Sequence, residues 1–224
     1  MQPKPINILS IRFANEISQQ EIPLFRGAVI HSLENKSILF HNHEGEKFRY
    51  AYPLIQYKRI NGKAAIVCIG KGVESIYDLF SSENFQYQIG GKTMVMLIES
   101  IHTHQEPIGY SDEIIHYKLH NWLPLNSNNY QLYINANSLV DKITILERVL
   151  TGNILSFLKG IDIYLEEQLK INITDITSQH LATYKRIKLM TFDIDFETNI
   201  TLPSHIGIGK NASVGYGTLT KITK

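Results

Sequence analysis

Apolar and polar residues alternate with a period of two through residues 6–13 (Ile6, Ile8, Ile11, Phe13), which predicts an opening strand. Pro23 then precedes Leu24, Phe25, Ala28, Val29 and Leu33 at helical spacing, so a helix is expected to end near Asn35. Residues 47–60 and 63–69 flank Asn61-Gly62 and read as a hairpin, with 40–45 as a polar loop or short strand before it. Residues 72–80 return to helical period, and 93–104 form an apolar strand. Strand, helix, hairpin, helix, strand is the ferredoxin-like order, in which two helices cover one face of a four-stranded sheet.

The segment 105–109 (Gln-Glu-Pro-Ile-Gly) breaks the pattern and reads as a link between domains. Beyond it, 113–122 predicts a strand, 131–134 a short strand, and 138–169 helix bent or divided at Gly152 and Gly160. Val140, Ile143, Leu146 and Leu150 mark the core face of that helix. Strands at 171–176 and 184–196, an extended piece at 199–202 and a closing strand at 218–222 follow. The fold class expected is therefore α+β, with two tandem ferredoxin-like (RRM-like) domains at residues 1–108 and 109–224, joined near 105–111.

Between the last strands lies His205-Ile206-Gly207-Ile208-Gly209-Lys210-Asn211-Ala212-Ser213-Val214-Gly215-Tyr216-Gly217, which places four of the 14 glycines within 11 residues. Such density implies unusual backbone conformations or backbone lying close to a ligand, and exposed N–H groups beside Lys210 would suit a phosphate. Neither the Gly-Lys-Ser/Thr ending nor a helix-opening Gly-x-Gly-x-x-Gly is present. A glycine-rich hairpin turn is the plain structural alternative.

With a length of 224 residues, 43% apolar and 19% charged, the chain reads as a globular protein with no run of apolar residues long enough to span a membrane. Its first residues do not resemble a signal peptide, which makes the cytoplasm the expected location. The one cysteine, Cys68, sits in an apolar run and reads as a buried strand thiol. Net charge is only +1, but its distribution is uneven. Lys47, Arg49, Lys58, Arg59, Lys63 and Lys71 occur without an intervening acid and among Phe48, Tyr50, Tyr52 and Tyr57, and no acid follows Glu197. Cations interleaved with rings suit a single-stranded nucleic acid, whose phosphates need charge and whose bases need stacking faces.

Just ahead of that stretch stands His41-Asn42-His43. In extended backbone, side chains two residues apart share a side at roughly 6.5 Å, so two imidazoles could straddle one phosphodiester. One in the neutral form can accept the proton of a ribose 2′-OH while the other, protonated, gives one to the departing 5′-oxygen. His102 with His104, and His116 with His120, share strand faces, a pattern that is more often structural than metal-binding.

The Gly-x-Gly, Lys210 and Gly-Tyr-Gly loop resembles that of the RAMP superfamily of CRISPR-associated proteins. His41-x-His43 with Tyr50, downstream of Phe25-Arg26-Gly27-Ala28-Val29-Ile30-His31, is similar to the b-type branch of the sixth CRISPR-associated family, the repeat-RNA processing endoribonucleases. The resemblance implies metal-independent cleavage of CRISPR precursor RNA within the repeat, leaving a 2′,3′-cyclic phosphate and a 5′-hydroxyl, with no cofactor. It implies that His41 and His43 are the acid and base, that Tyr50 positions the phosphate, and that CRISPR repeat RNA and an effector complex are partners. In this family the active histidine can instead lie on the first helix, here His31. Lys47, Arg49, Lys58, Arg59 and Lys210 are expected on phosphates, with Gly207, Gly209, Gly215 and Gly217 supplying close backbone approach. The alternative is a non-catalytic RAMP subunit that binds guide RNA.

Overall fold

The computed structural model describes residues 3–33, 43–44, 47–48, 52–80, 85–184 and 186–222. They form two compact units. The first comprises Pro5–Glu106 with Ser213–Gly215; the second is built around Pro107–Ala212 with the C-terminal piece from Tyr216 and the N-terminal piece ending at Lys4.

In the first unit β1 (Lys4–Glu16) leads into α1 (Ile22–Ser32). Two short strands follow, β2 (His43–Glu44) and β3 (Lys47–Phe48), and then the hairpin of β4 (Ile55–Ile60) and β5 (Lys63–Ile69). Asn61 and Gly62 take φ of 52° and 84°, the left-handed backbone that a two-residue turn of this hand requires. The predicted helix over 72–80 is broken at Ser75 into α2 (Lys71–Glu74) and α3 (Ile76–Phe80). The single strand expected over 93–104 is instead two: β7 (Lys92–Val95) folds back on β6 (Gln86–Ile89) through the positive-φ pair Gly90-Gly91, and β8 begins afresh at Ile98. Strand order here is β4-β5-β1-β8, the ferredoxin-like arrangement. α1 buries Ile22, Phe25 and Val29, and the Phe25 ring meets Phe13 and Tyr57 edge-on at 5.6 Å each. Burial of a side chain of that size stabilises by roughly 1.5–3 kcal/mol.

β8 runs unbroken from Ile98 to Trp122, and the division between units falls within it. The expected break at 105–109 does not occur, because Gly109 pairs with Thr201 and the Thr201 hydroxyl donates to the Pro107 carbonyl at 2.5 Å. In the second unit β8 is followed by α4 (Ser127–Ile134), α5 (Leu139–Gly160), β9 (Ile171–Tyr184), β10 (Ile187–Thr201) and β11 (Thr218–Lys221). Their order, β9-β10-β8-β11, is ferredoxin-like again. The glycine-rich segment occupies the position in chain order where that fold carries its second helix.

Three expectations for this unit are corrected. Residues 131–134 are helical rather than extended, since Asn126 caps α4 by accepting from the Asn129 N–H at 2.8 Å. The helix from 139 ends at Gly160, with Asp162 at φ 58° turning the chain, and passes straight through Gly152. Ser138 and Asp141 close a capping box at its start. Leu146, Leu150, Ile154 and Phe157 form its buried stripe, whereas Val140, in the first turn, is 71% exposed.

Candidate active site and nucleic-acid interface

Of the predicted catalytic residues, His41 and Tyr50 lie outside the described residues, as does Arg49. His43 pairs with Phe48, and Glu44 with Lys47, across the small β2–β3 ladder. The motif thus sits on extended backbone at His43, directly upstream of the β4–β5 hairpin.

That hairpin departs from the reading of a cationic face. Lys58 is fully buried, and burial pushes its ammonium down to about 7, so it is not presented to a phosphate. The cause is the packing of β4 on both faces: Gln56 and Tyr57 are buried too, and the Tyr57 N–H donates to the Ser213 carbonyl at 2.9 Å, covering the outer edge of the strand. Burial likewise pushes the Tyr57 and Tyr52 phenols up, and the Tyr52 hydroxyl accepts from Gln56 at 2.8 Å. Arg59 is exposed but directs its Nε to the Ile17 carbonyl at 2.7 Å. Lys63 is paired with Glu99 at 2.5 Å. Among the described members of the basic-aromatic run, Lys58 and Tyr57 are therefore interior, while Arg59 and Lys63 are engaged by neighbouring groups.

The glycine segment is also built into the fold. Gly207, Gly215 and Gly217 are buried. A Cβ on Gly217, whose φ is 59°, would overlap the Ile208 carbonyl oxygen. One on Gly209, at φ 88°, would come within 2.5 Å of Asn153 Oδ1 and 3.0 Å of Trp122 Nε1. Those two groups are joined to each other by a 3.0 Å bond that the indole donates. The Ile208 and Gly217 N–H groups are taken by the carbonyls of Gly217 and Asn121. Gly209 and Gly217 are thus accounted for by internal packing, and the backbone donors at 208 and 217 are not offered to a phosphate. Lys210 alone of the predicted contacts in this segment projects as an exposed cation.

His31 is exposed in the last turn of α1, where it lines a groove of about 370 Å³ with Gly27, Gln86 and Gln88, while Leu33 beside it is buried. A core role is therefore not what this histidine has. His116 faces Glu197 at 3.5 Å and Lys118 faces Asp195 at 3.4 Å on the second unit's sheet. No group of three or more potential metal ligands is assembled among the described residues. Nor is any helix among them long and apolar enough to cross a membrane. The supporting pair Trp122 and Asn153 had no signal in the sequence, being 31 residues apart with nothing in their spacing to join them.

Comparison with known proteins agrees with this architecture. Residues 4–107 match the model of the Cas6b N-terminal domain and residues 109–222 that of the Cas6b C-terminal domain. A crystal structure of Cas6b is 28% identical and superposes with a TM-score of 0.90, covering 98% of this chain and all of that one. A second, described as the CRISPR RNA processing endoribonuclease Cas6b, is 26% identical with a TM-score of 0.75 over the same shares. An uncharacterised protein of Methanocaldococcus jannaschii is 33% identical over 118 residues, 52% of this chain and 79% of its own length. A type IV Cas6 endonuclease, 14% identical at a TM-score of 0.59 over 98% of this chain and all of its own, shares the fold. With both halves matched by the two domain models of one family, the chain belongs to the Cas6b family.

Proposed function

We propose that this chain is an endoribonuclease that cuts CRISPR precursor RNA within the repeat. What carries the reading is the combination of Cas6b membership, a structural relative described as a CRISPR RNA processing endoribonuclease, and His41-x-His43 standing on strand-forming sequence. Of the two histidines, the neutral one takes the 2′-OH proton as the 2′-oxygen attacks phosphorus. The protonated one supplies a proton to the 5′-oxygen as the P–O5′ bond breaks. The products are a 2′,3′-cyclic phosphate and a 5′-hydroxyl; phosphorus keeps its charge, and the proton count balances between the two imidazoles. Tyr50 orients the phosphate. The route requires no metal, since proton transfer supplies the activation.

Lys47, Arg49, Lys210 and the exposed guanidinium of Arg59, whose Nε alone is held by Ile17, are assigned to phosphates, and Lys58 is withdrawn from that set because it is buried. The product, held or passed on, is the guide of an effector complex. The exposure of His31 on a groove favours one second reading, in which the helix histidine takes a proton-transfer role. Incubation of repeat RNA with the protein in EDTA, followed by mass spectrometry of the ends, tests the chemistry. A cyclic phosphate is expected, and a 2′-deoxy at the scissile ribose should abolish cutting. Cleavage that persists on the deoxy substrate would refute 2′-OH attack, and binding without cutting would make the chain a passive RNA-holding subunit.

A further inference from the structure

Lys210 is exposed, and the backbone that carries it is held on both sides. Gly209 and Asn211 take φ of 88° and 59°, so the chain reverses around Lys210 while Ile208 and Ala212, on its flanks, are buried. The Ile208 N–H donates to the Gly217 carbonyl at 2.7 Å, and the Gly217 N–H donates to the Asn121 carbonyl at 3.1 Å. The turn is thereby tied to the end of β8. Beneath it lies the hydrogen bond that Trp122 Nε1 donates to Asn153 Oδ1, for a Cβ on Gly209 would meet Oδ1 at 2.5 Å and Nε1 at 3.0 Å.

Both partners of that bond are fixed independently of the turn. Trp122 is fully buried at the end of β8, opposite Phe192, and the preceding Asn121 N–H donates to Asp193 Oδ1 at 2.6 Å. Asn153 stands on α5 three residues after Leu150 and four before Phe157, positions that share one helix face, and both of those neighbours are buried. An amide is a poorer helix former than the leucine that would fill the same space. What the amide alone supplies is an acceptor for the indole N–H, which a buried tryptophan requires. The bond fixes the rotation of the ring and of the amide, and these two groups are the surface on which Gly209 rests.

We propose that Asn153, acting through Trp122, is a positioning residue that aims Lys210 at an RNA phosphate. The proposal deepens the RNA reading given above, from which it takes Lys210 as a phosphate contact, and it does not depend on the histidine chemistry. A bond between two uncharged side chains thus governs the placement of a charge that neither carries. Without the acceptor the indole N–H must find another partner, the surface under Gly209 changes shape, and the turn loses its seat. A role in stability alone would leave the number of neutralised phosphates unchanged.

Fluorescence anisotropy over a range of salt, on the full chain with repeat RNA carrying a 2′-deoxy at the scissile ribose, tests it. One phosphate contact on a single strand contributes about 0.7 to the slope of log K against log salt, which amounts to about fivefold in Kd at 0.1 M. Lys210→Ala should lose that contribution. Asn153→Leu removes no charge, yet it should flatten the slope by up to about 0.7 and raise Kd by about three- to fivefold. In a Lys210→Ala background it should add nothing further. Trp122→Phe removes the same bond from its other end and should behave as Asn153→Leu does, which keeps the test open if melting shows that one of the two variants is unfolded. A flattened slope shared by Lys210→Ala and the folded neutral variants sustains the proposal, even in a chain that never cleaves unblocked RNA, a result that would sink the nuclease alone. Wild-type affinity and slope in the folded neutral variants overturn it. So does an Asn153→Leu effect that persists undiminished without Lys210. An unchanged Kd in Lys210→Ala overturns it as well, since there is then no contact to position.

Discussion

Two hairpins of this molecule carry basic residues among aromatic or apolar ones, and they put them to opposite uses. In β4–β5 the cations are enclosed or engaged: Lys58 is buried, Arg59 holds the Ile17 carbonyl, and Lys63 holds Glu99. In β9–β10 the cations lie beyond the last β8 pairing, where the ribbon has lost a neighbour, and Arg186 and Lys188 are exposed. A charge run in sequence is a surface only where the strand has a free face. Position in the sheet decides this, and composition does not.

The largest test of that contrast is Lys58→Glu, which forces an anion into the enclosed site. It should destabilise the first unit by roughly 3–5 kcal/mol, seen as a fall in Tm of about 10 °C or more. The same reversal at Lys188 should move Tm by less than about 2 °C, as a surface change does. Equal effects on stability at the two positions would break the comparison.

A second test uses pH. Between the lowered value of Lys58, about 7, and the ordinary 10.5, the unfolded chain holds a proton that the folded chain lacks. Stability from this group should therefore rise with pH across that window, by up to about 1.4 kcal/mol per pH unit, and the full penalty of the buried charge applies below it. Lys58→Met should raise Tm more at pH 6 than at pH 9. A Tm increment independent of pH would show that the ammonium is not titrated by burial.

A smaller effect is expected from Lys63→Ala, which removes an exposed pair with Glu99 worth about 0–1 kcal/mol. It should change neither RNA affinity nor Tm appreciably. Gly217→Ala sharpens the same lesson in the glycine segment: if its glycines serve packing, this variant should melt well below wild type before any loss of RNA binding can be read. An unshifted melt with weakened binding would restore the role of the loop as a phosphate cradle.

Much of the frame was legible because it is local. Alternation at β1, the Asn61-Gly62 turn and the apolar stripe of α5 each declare themselves within a dozen residues. The ferredoxin-like order of the first unit follows from the first two together with the helical spacing of α1. What was not legible depended on partners distant in sequence. Gly109 remains in a strand because Thr201 pairs with it, and the Asn-rich run before Tyr130 proved a helix cap. Lys58 reads as surface until Ser213 closes the edge of β4. The glycine segment was legible as unusual backbone, but its reason, contact with Trp122, Asn153 and its own Ile208 carbonyl, was not. The His41-x-His43 pair was read from residue type and spacing alone, and its catalytic role is a proposal.

The most direct test of the account is single-turnover cleavage of repeat RNA in EDTA by His41→Ala, His43→Ala and His31→Ala, with Kd for blocked RNA measured alongside. Loss of roughly 10²-fold or more in rate for either member of the pair is predicted, with affinity nearly intact and a bell-shaped pH profile in the wild type. Full rate in the His41→Ala, His43→Ala double variant would contradict the assignment, and loss confined to His31→Ala would move the chemistry to α1.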